Sequence, residues 1–69
     1  MRLTLTEARE RKGWNIPRLA AEAGIHKTTV YRLERGEFDP KHGTVTRLET
    51  TLGLKRGTLV FVQRHGAAA

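Results

Sequence analysis

Four glycines divide most of this 69-residue chain into short segments in which apolar residues recur at helical spacing. Gly13, Gly24, Gly36 and Gly53 each close such a segment, as glycine commonly does at the C-terminal end of a helix. The pattern predicts an all-α bundle of four or five short helices. The chain has no cysteine, so neither a disulfide nor a thiolate metal site can support this small core.

The charge of the chain is strongly positive. Thirteen Lys and Arg residues against seven Asp and Glu give a formal net charge of +6. This balance favours a polyanionic partner, with nucleic acid first and anionic lipid second. The longest apolar run before the terminal alanines, Leu59 to Val62, is too short for a membrane span or a signal-peptide core. We therefore expect a cytoplasmic protein without membrane association.

The residues needed for catalysis or metal binding are missing from the sequence. There is no serine or cysteine, and His26, His42 and His65 are too far apart to form a helical metal-binding pair. No nucleophile and base can be assigned together. The sequence predicts no enzyme activity, no metal and no cofactor.

Local signals set the expected helix ends. Thr4 and Glu7 have the spacing of a capping box, Asn15 is a favourable cap for the second helix, and Thr44 is a candidate cap for the fourth. The segment after Gly53 is ambiguous. Residues 58–62 have strand propensity and Gly57 disfavours a helix, but periodicity alone does not decide between helix and strand for residues 55–62.

The stretch from Ile16 to Arg35 has the features of a helix-turn-helix. The small side chains of Ala20 and Ala23 let the following helix approach closely, and Gly24 permits the positive φ of a sharp turn. The residues that lock the second helix across the first are Ile25, Val30 and Leu33. In this motif the second helix is held out so that it can enter the DNA major groove.

These residues resemble the Cro/cI-type (XRE) helix-turn-helix family of phage and bacterial regulators, over Leu5 to about Leu59. The resemblance is carried by Lys12-Gly13, Leu19-Ala20, Gly24-Ile25, the run from Thr29 to Gly36, Pro40, and Leu52 to Leu54. It implies a compact five-helix, lambda-repressor-like DNA-binding domain over residues 1–65, with the helix-turn-helix at about 16–35. It therefore favours a helix for residues 55–62. The low-complexity tail, 66–69, is expected to be disordered.

The outward face of the third helix is predicted to contact DNA bases. Val30 and Leu33 point inward, so the outward residues are Lys27, Thr28, Tyr31 and Arg32. Lys and Arg suit guanine O6 and N7, and a Thr methyl suits a thymine methyl. The family resemblance implies that Lys27 and Thr28 lie at the tip that meets base edges. The alternative is an ordinary solvated face of a basic protein.

The predicted phosphate contacts surround this helix. Arg18 in the first turn of the second helix opposes the helix dipole, which makes phosphate binding a better explanation than stability. Ile16 and His26 depart from the family, which often has Gln and Ser or Thr there, although a backbone amide at a helix start can still bind phosphate. The set is Asn15, Ile16, Arg18, His26, Thr29, Arg35 and Lys41, and the alternative is simple solvent exposure.

Two further groups of residues have predicted structural roles. Helical spacing turns Arg9 and Glu34 toward apolar faces, where an unpaired charge is costly, so a partly buried ion pair is expected; the family resemblance implies the same pair. Leu59, Phe61 and Val62 are predicted to form a dimer interface, because one helical face cannot bury the whole run from Leu59 to Val62. The alternative is a local plug over Leu48 and Leu52.

The function predicted from the sequence is sequence-specific binding of double-stranded DNA by a homodimeric transcriptional regulator. It is expected to act as a repressor that inserts its third helix into the major groove of an operator. One alternative within the same fold is an antitoxin-like or accessory subunit that acts mainly through a protein partner. The alternative from another class is a non-specific binder of RNA or anionic membrane.

Overall fold

The computed structural model describes residues 2–61, which form four helices and two short strands. The helices are α1 (Leu5–Lys12), α2 (Ile16–Ala23), α3 (Lys27–Glu34) and α4 (His42–Thr51), and the strands are β1 (Leu3–Thr4) and β2 (Leu59–Val60). The predicted helix-turn-helix corresponds to α2 and α3. The domain boundary at residue 65 and the predicted disordered tail, 66–69, lie outside the described residues.

Side-chain caps define the starts of the first two helices. The Glu7 N–H donates to Thr4 Oγ1 at 3.1 Å, and the Thr4 N–H donates to Glu7 Oε1 at 2.9 Å, so the capping box is present. Asn15 Oδ1 accepts the Arg18 N–H at 2.8 Å. The prediction for α4 is wrong. This helix begins before Thr44, and its N-terminal cap is Lys41, which makes no side-chain capping bond.

The described residues contain four helices rather than the predicted five. Gly57 adopts a left-handed φ of 83°, which is incompatible with the helix predicted for this segment. The chain turns there instead. Strand β2 then pairs in parallel with β1, so that Leu3 lies opposite Leu59. The Leu3 N–H also donates to the Thr58 carbonyl at 2.9 Å. The strand propensity of residues 58–60 is therefore realised, and a helix over residues 55–61 is not.

A buried carboxylate holds the start of β2 against α4. Glu49 is only 3% exposed, and its Oε2 accepts the Gly57 N–H at 2.9 Å and the Leu59 N–H at 3.2 Å. Buried polar groups need such partners, since leaving a backbone donor without one costs stability. Glu49 therefore substitutes for the acceptors that a longer sheet would provide.

The core lies between the helices and fixes the orientation of α3. Leu5, Leu19, Val30 and Leu48 are the largest fully buried side chains, and they come from four different helices. Five partly buried side chains pack around this core: Trp14, Ile16, Ile25, Leu54 and Phe61. Because Val30 and Leu33 are buried, the opposite side of α3 faces solvent.

An ion pair joins α1 to the end of α3. Arg9 Nε donates to Glu34 Oε2 at 2.7 Å, and Arg9 Nη2 donates to Glu34 Oε1 at 3.2 Å; the two side chains are 15% and 8% exposed. Two further hydrogen bonds complete the network. Thr6 Oγ1 donates to Glu34 Oε1 at 2.8 Å, and Arg9 Nη1 donates to the Trp14 carbonyl at 2.9 Å. The hydrogen bond to Glu34 raises the pKa of the Arg9 guanidinium. The predicted pair is thus present in the structure.

Candidate nucleic-acid interface

The N-terminal ends of α2 and α3 lie side by side at the surface. The chain leaves α2 at Gly24, whose φ of 70° allows the sharp turn. The Ile25 N–H then donates a hydrogen bond to the Ala20 carbonyl at 3.1 Å. As a result, Ile16 from α2 meets residues from α3 along a shallow groove of about 340 Å³. The groove is lined by Ile16, Lys27, Thr28 and Tyr31.

His26 starts α3 by capping it. Its Nδ1 accepts a hydrogen bond from the backbone N–H of Thr28 at 3.1 Å. The cap therefore does not involve the Thr28 hydroxyl. Since Nδ1 is the acceptor, the neutral ring carries its hydrogen at Nε2, which stays available as a donor. His26 is exposed, so a phosphate can approach that nitrogen.

The four residues predicted to contact bases lie on the solvent side of α3. Lys27, Thr28 and Arg32 are exposed, and Tyr31 is 48% exposed. The Tyr31 hydroxyl accepts a hydrogen bond from Arg35 Nη1 at 3.0 Å, and the Arg35 guanidinium lies 5.4 Å from the ring centroid. The hydrogen bond to Tyr31 raises the pKa of Arg35. The Tyr31 ring is therefore held in place at the surface of α3 by Arg35.

Glu37 lies next to two of the predicted DNA contacts. Arg35 Nε donates to Glu37 Oε2 at 2.8 Å, and Arg32 Nε is 3.9 Å from Glu37 Oε1. These side chains are well exposed, so both pairs contribute little to stability. A phosphate can replace Glu37 at either guanidinium. Lys27 and Lys41 form no ion pair within residues 2–61 and have no such competitor there.

A cationic cluster surrounds Trp14 at the start of α2. Lys12 Nζ lies 5.3 Å and the Arg18 guanidinium 5.1 Å from the ring centroid, and Arg18 Nε also bonds Glu22 at 2.8 Å. Arg18 is one of the predicted phosphate contacts, whereas Lys12 is not among them. The sequence feature that could have indicated Lys12 is its position close to Trp14, which Arg18 also contacts.

Lys41 lies at the other end of the interface, beside a second cation. The groove there has a volume of about 340 Å³ and is lined by Ile25, Lys41, Gly43, Thr44 and Arg47. Arg47 Nη1 comes within 3.8 Å of the position that a Cβ atom on Gly24 would take, so its guanidinium covers the turn between α2 and α3. Arg47 is not among the residues predicted from the sequence, because no local pattern indicates its position beside this turn.

The remaining predicted site residues differ in how far they are exposed to solvent. Asn15 is exposed, and its Oδ1 is occupied by the helix cap, which leaves its amide nitrogen as a donor. Thr29 is half-buried on α3. Leu59 is buried in the core of its own chain, so its surface is not available to a second copy, whereas Phe61 is half-buried. Val62 lies outside the described residues.

Two further observations concern the part of the chain that the structure describes. Residues 2–61 contain no group of His, Asp or Glu side chains arranged to hold a metal ion. Within the same residues, no helix has both the length and the apolar character needed to cross a membrane.

The turn between α2 and α3, together with the exposed cationic face of α3, defines a helix-turn-helix domain of the DNA-binding class. The profile of the helix-turn-helix family matches residues 5–59. The chain belongs to this family, in its Cro/cI (XRE) type. The family resemblance identified from the sequence is therefore confirmed.

Similar proteins carry names of the same kind. The chain is 32% identical over 57 residues to the HTH-type transcriptional regulator SutR of Escherichia coli, a match that covers 83% of this chain and 32% of the relative. It is 40% identical over 50 residues to an uncharacterised HTH-type transcriptional regulator of Mycobacterium tuberculosis, covering 72% of this chain and 20% of the relative. The chain thus corresponds to a third or less of the length of these relatives. No solved structure gives a significant match.

Proposed function

We propose that this chain is a sequence-specific regulator that represses transcription by placing α3 in the major groove of an operator. The observation that carries the proposal is the outer face of α3, where Lys27, Thr28 and Arg32 are exposed while Val30 and Leu33 are buried. A basic helix presented in this way has the side chains that read base edges. We propose that such a regulator acts in the cytoplasm, where it has access to its operator.

The proposed contacts fall into two classes with different effects. Lys27, Thr28, Tyr31 and Arg32 address base edges and determine the sequence that is bound. The residues around them hold phosphates and determine the affinity for any duplex: Asn15, Ile16 through its backbone amide, Arg18, His26, Thr29, Arg35 and Lys41. Glu22 and Glu37 neutralise Arg18 and Arg35 in the free protein, so DNA binding requires a change of partner at these two residues.

The operator proposed for this regulator is two-fold symmetric, and the protein binds it as a homodimer. Val60 and Phe61 are half-buried beside a groove of about 310 Å³ that is also lined by Leu5, Leu33 and Glu34. Because Leu5 and Leu33 are buried, the exposed parts of Val60 and Phe61 are the surface proposed for the second copy.

Replacing Phe61 with Asp is expected to convert the dimer into a monomer, because a carboxylate would be buried without a partner in the apolar contact. Light scattering of the parent and the variant, each with and without DNA, measures the change in mass. A matched control is Phe38→Asp, since Phe38 is exposed on a different loop and should leave the mass unchanged. A parent protein that is monomeric under all these conditions would contradict the proposed dimer.

The experiment that tests the proposed function is selection of binding sites from a random pool of duplex DNA. Sequence-specific binding by a symmetric dimer predicts enrichment of a palindromic consensus. An accessory subunit that acts mainly through a protein partner would enrich no consensus and would bind all duplexes weakly. A non-specific basic binder would also enrich none, and random DNA would compete equally well.

A further inference from the structure

The groove between the N-terminal ends of α2 and α3 is unusually apolar for a surface of this basic protein. Its four lining residues are Ile16, Lys27, Thr28 and Tyr31, and most of its surface is carbon. Ile16 has no polar side-chain atom, and the Tyr31 hydroxyl is already bonded to Arg35. Ile16 and the Tyr31 ring therefore supply apolar surface, and the polar groups of the groove come from Lys27 and the Thr28 hydroxyl.

The position of Ile16 determines this character. Ile16 is the first residue of α2, it is half-buried, and it also packs against the core. Its apolar side chain lies beside Lys27, the first residue of α3, and cannot accept a hydrogen bond from the Lys27 ammonium. Lys27 therefore keeps its three N–H donors for a ligand, while the Ile16 surface next to it is apolar.

We infer that this groove holds the 5-methyl group of a thymine in the major groove, and that Ile16 is a specificity-determining residue. The inference rests on the proposed function. The thymine methyl is the apolar group that base-pair edges present in the major groove, and it lies next to the O4 acceptor of the same base. The groove offers the complementary arrangement, with an apolar surface beside the cationic Lys27. No carboxylate lines the groove, so its charge suits DNA rather than a basic partner.

The size of the effect follows from the burial of one methyl group. Removing a buried methyl costs about 0.8 kcal/mol, which corresponds to about fourfold weaker binding for each methyl removed. Uracil differs from thymine in the major groove only by this methyl. Replacing thymines of the selected duplex by uracil, one position at a time, therefore isolates the contact.

The test compares thymine and uracil duplexes for the parent protein and three variants. In Ile16→Gln the apolar side chain is replaced by one that ends in an amide. In Thr28→Ser one methyl is removed, while the hydroxyl and the His26 cap are kept. Phe38→Ala is the matched control, because Phe38 is an exposed apolar residue that does not line the groove. Thr28 is exposed, so Thr28→Ser remains informative even if Ile16→Gln fails to fold.

The parent protein and Phe38→Ala should both lose about fourfold in affinity at one thymine of each half-site. In Ile16→Gln and Thr28→Ser this ratio should fall toward one. A parent that binds thymine and uracil duplexes equally at every position would overturn the inference while leaving the proposed function intact. A ratio that is unchanged in both groove variants would do the same, and would point to a protein partner or solvent as the occupant. Failure to select any sequence would overturn the proposed function and this inference together.

Discussion

Replacing Arg9 with Ala should lower the free energy of unfolding by about 3 kcal/mol, because Glu34 would be left as a largely buried charge without its partner. The Glu34 side chain is 8% exposed and receives two hydrogen bonds from Arg9. Thr6 alone cannot replace both donors. Urea denaturation followed by circular dichroism measures the loss.

Arg18→Ala is the matched control for this prediction. Arg18 forms an ion pair of similar length with Glu22, but both side chains are about half exposed. Such an i,i+4 pair contributes only about 0.3–0.5 kcal/mol. If Arg9→Ala cost no more than Arg18→Ala, the pair with Glu34 would not stabilise the fold as described.

Replacing Glu49 with Ala should also cost about 3 kcal/mol, because two backbone N–H groups lose the acceptor that holds β2. The affected donors are those of Gly57 and Leu59. Hydrogen exchange should show a second effect, with the Leu59 amide exchanging faster than amides in the centre of α3. Glu49→Gln should lose less stability, since its side-chain carbonyl can still accept these bonds.

The neighbouring substitution Thr50→Ala serves as the control for Glu49. Thr50 lies on the same helix but is exposed. Its replacement should change the free energy of unfolding by less than about 0.5 kcal/mol. Equal losses for Glu49→Ala and Thr50→Ala would contradict the role of the buried carboxylate.

Two helix starts that depend only on neighbouring residues could be predicted from the sequence, whereas the predicted cap of α4 at Thr44 was wrong. The cap of α1 at Thr4 and that of α2 at Asn15 each require partners within three residues, and both are present. The structure of residues 55–61 depends instead on contacts between distant residues. Strand β2 forms because Leu3 and Thr4 pair with it and Glu49 accepts the Leu59 N–H. Neither partner is visible in the local pattern of residues 55–61.

The candidate interface shows the same division. The exposure of Lys27, Thr28 and Arg32 follows from helical periodicity around the buried Val30 and Leu33. By contrast, Arg47 reaches the turn at Gly24 only because α4 packs beside α2. The apolar groove at Ile16 likewise requires the ends of two helices to meet. These features depend on tertiary packing, which a single sequence does not specify residue by residue.

Sequence-specific reading by α3 is tested most directly by comparing Lys27→Ala with Lys41→Ala on selected and scrambled duplexes at several salt concentrations. If Lys27 reads a base, its loss should weaken binding to the selected duplex by about 1–3 kcal/mol and affect the scrambled duplex much less. If Lys41 holds a phosphate, its loss should weaken both duplexes alike and make the salt dependence shallower.

For a dimer with roughly eight phosphate contacts, the log–log salt slope of the parent should be about −7. Arg32→Ala should follow Lys27→Ala in its preference for the selected duplex. Equal losses on both duplexes for Lys27→Ala would make Lys27 a backbone contact. The same result for Arg32→Ala as well would contradict the assignment of α3 as the helix that reads DNA sequence.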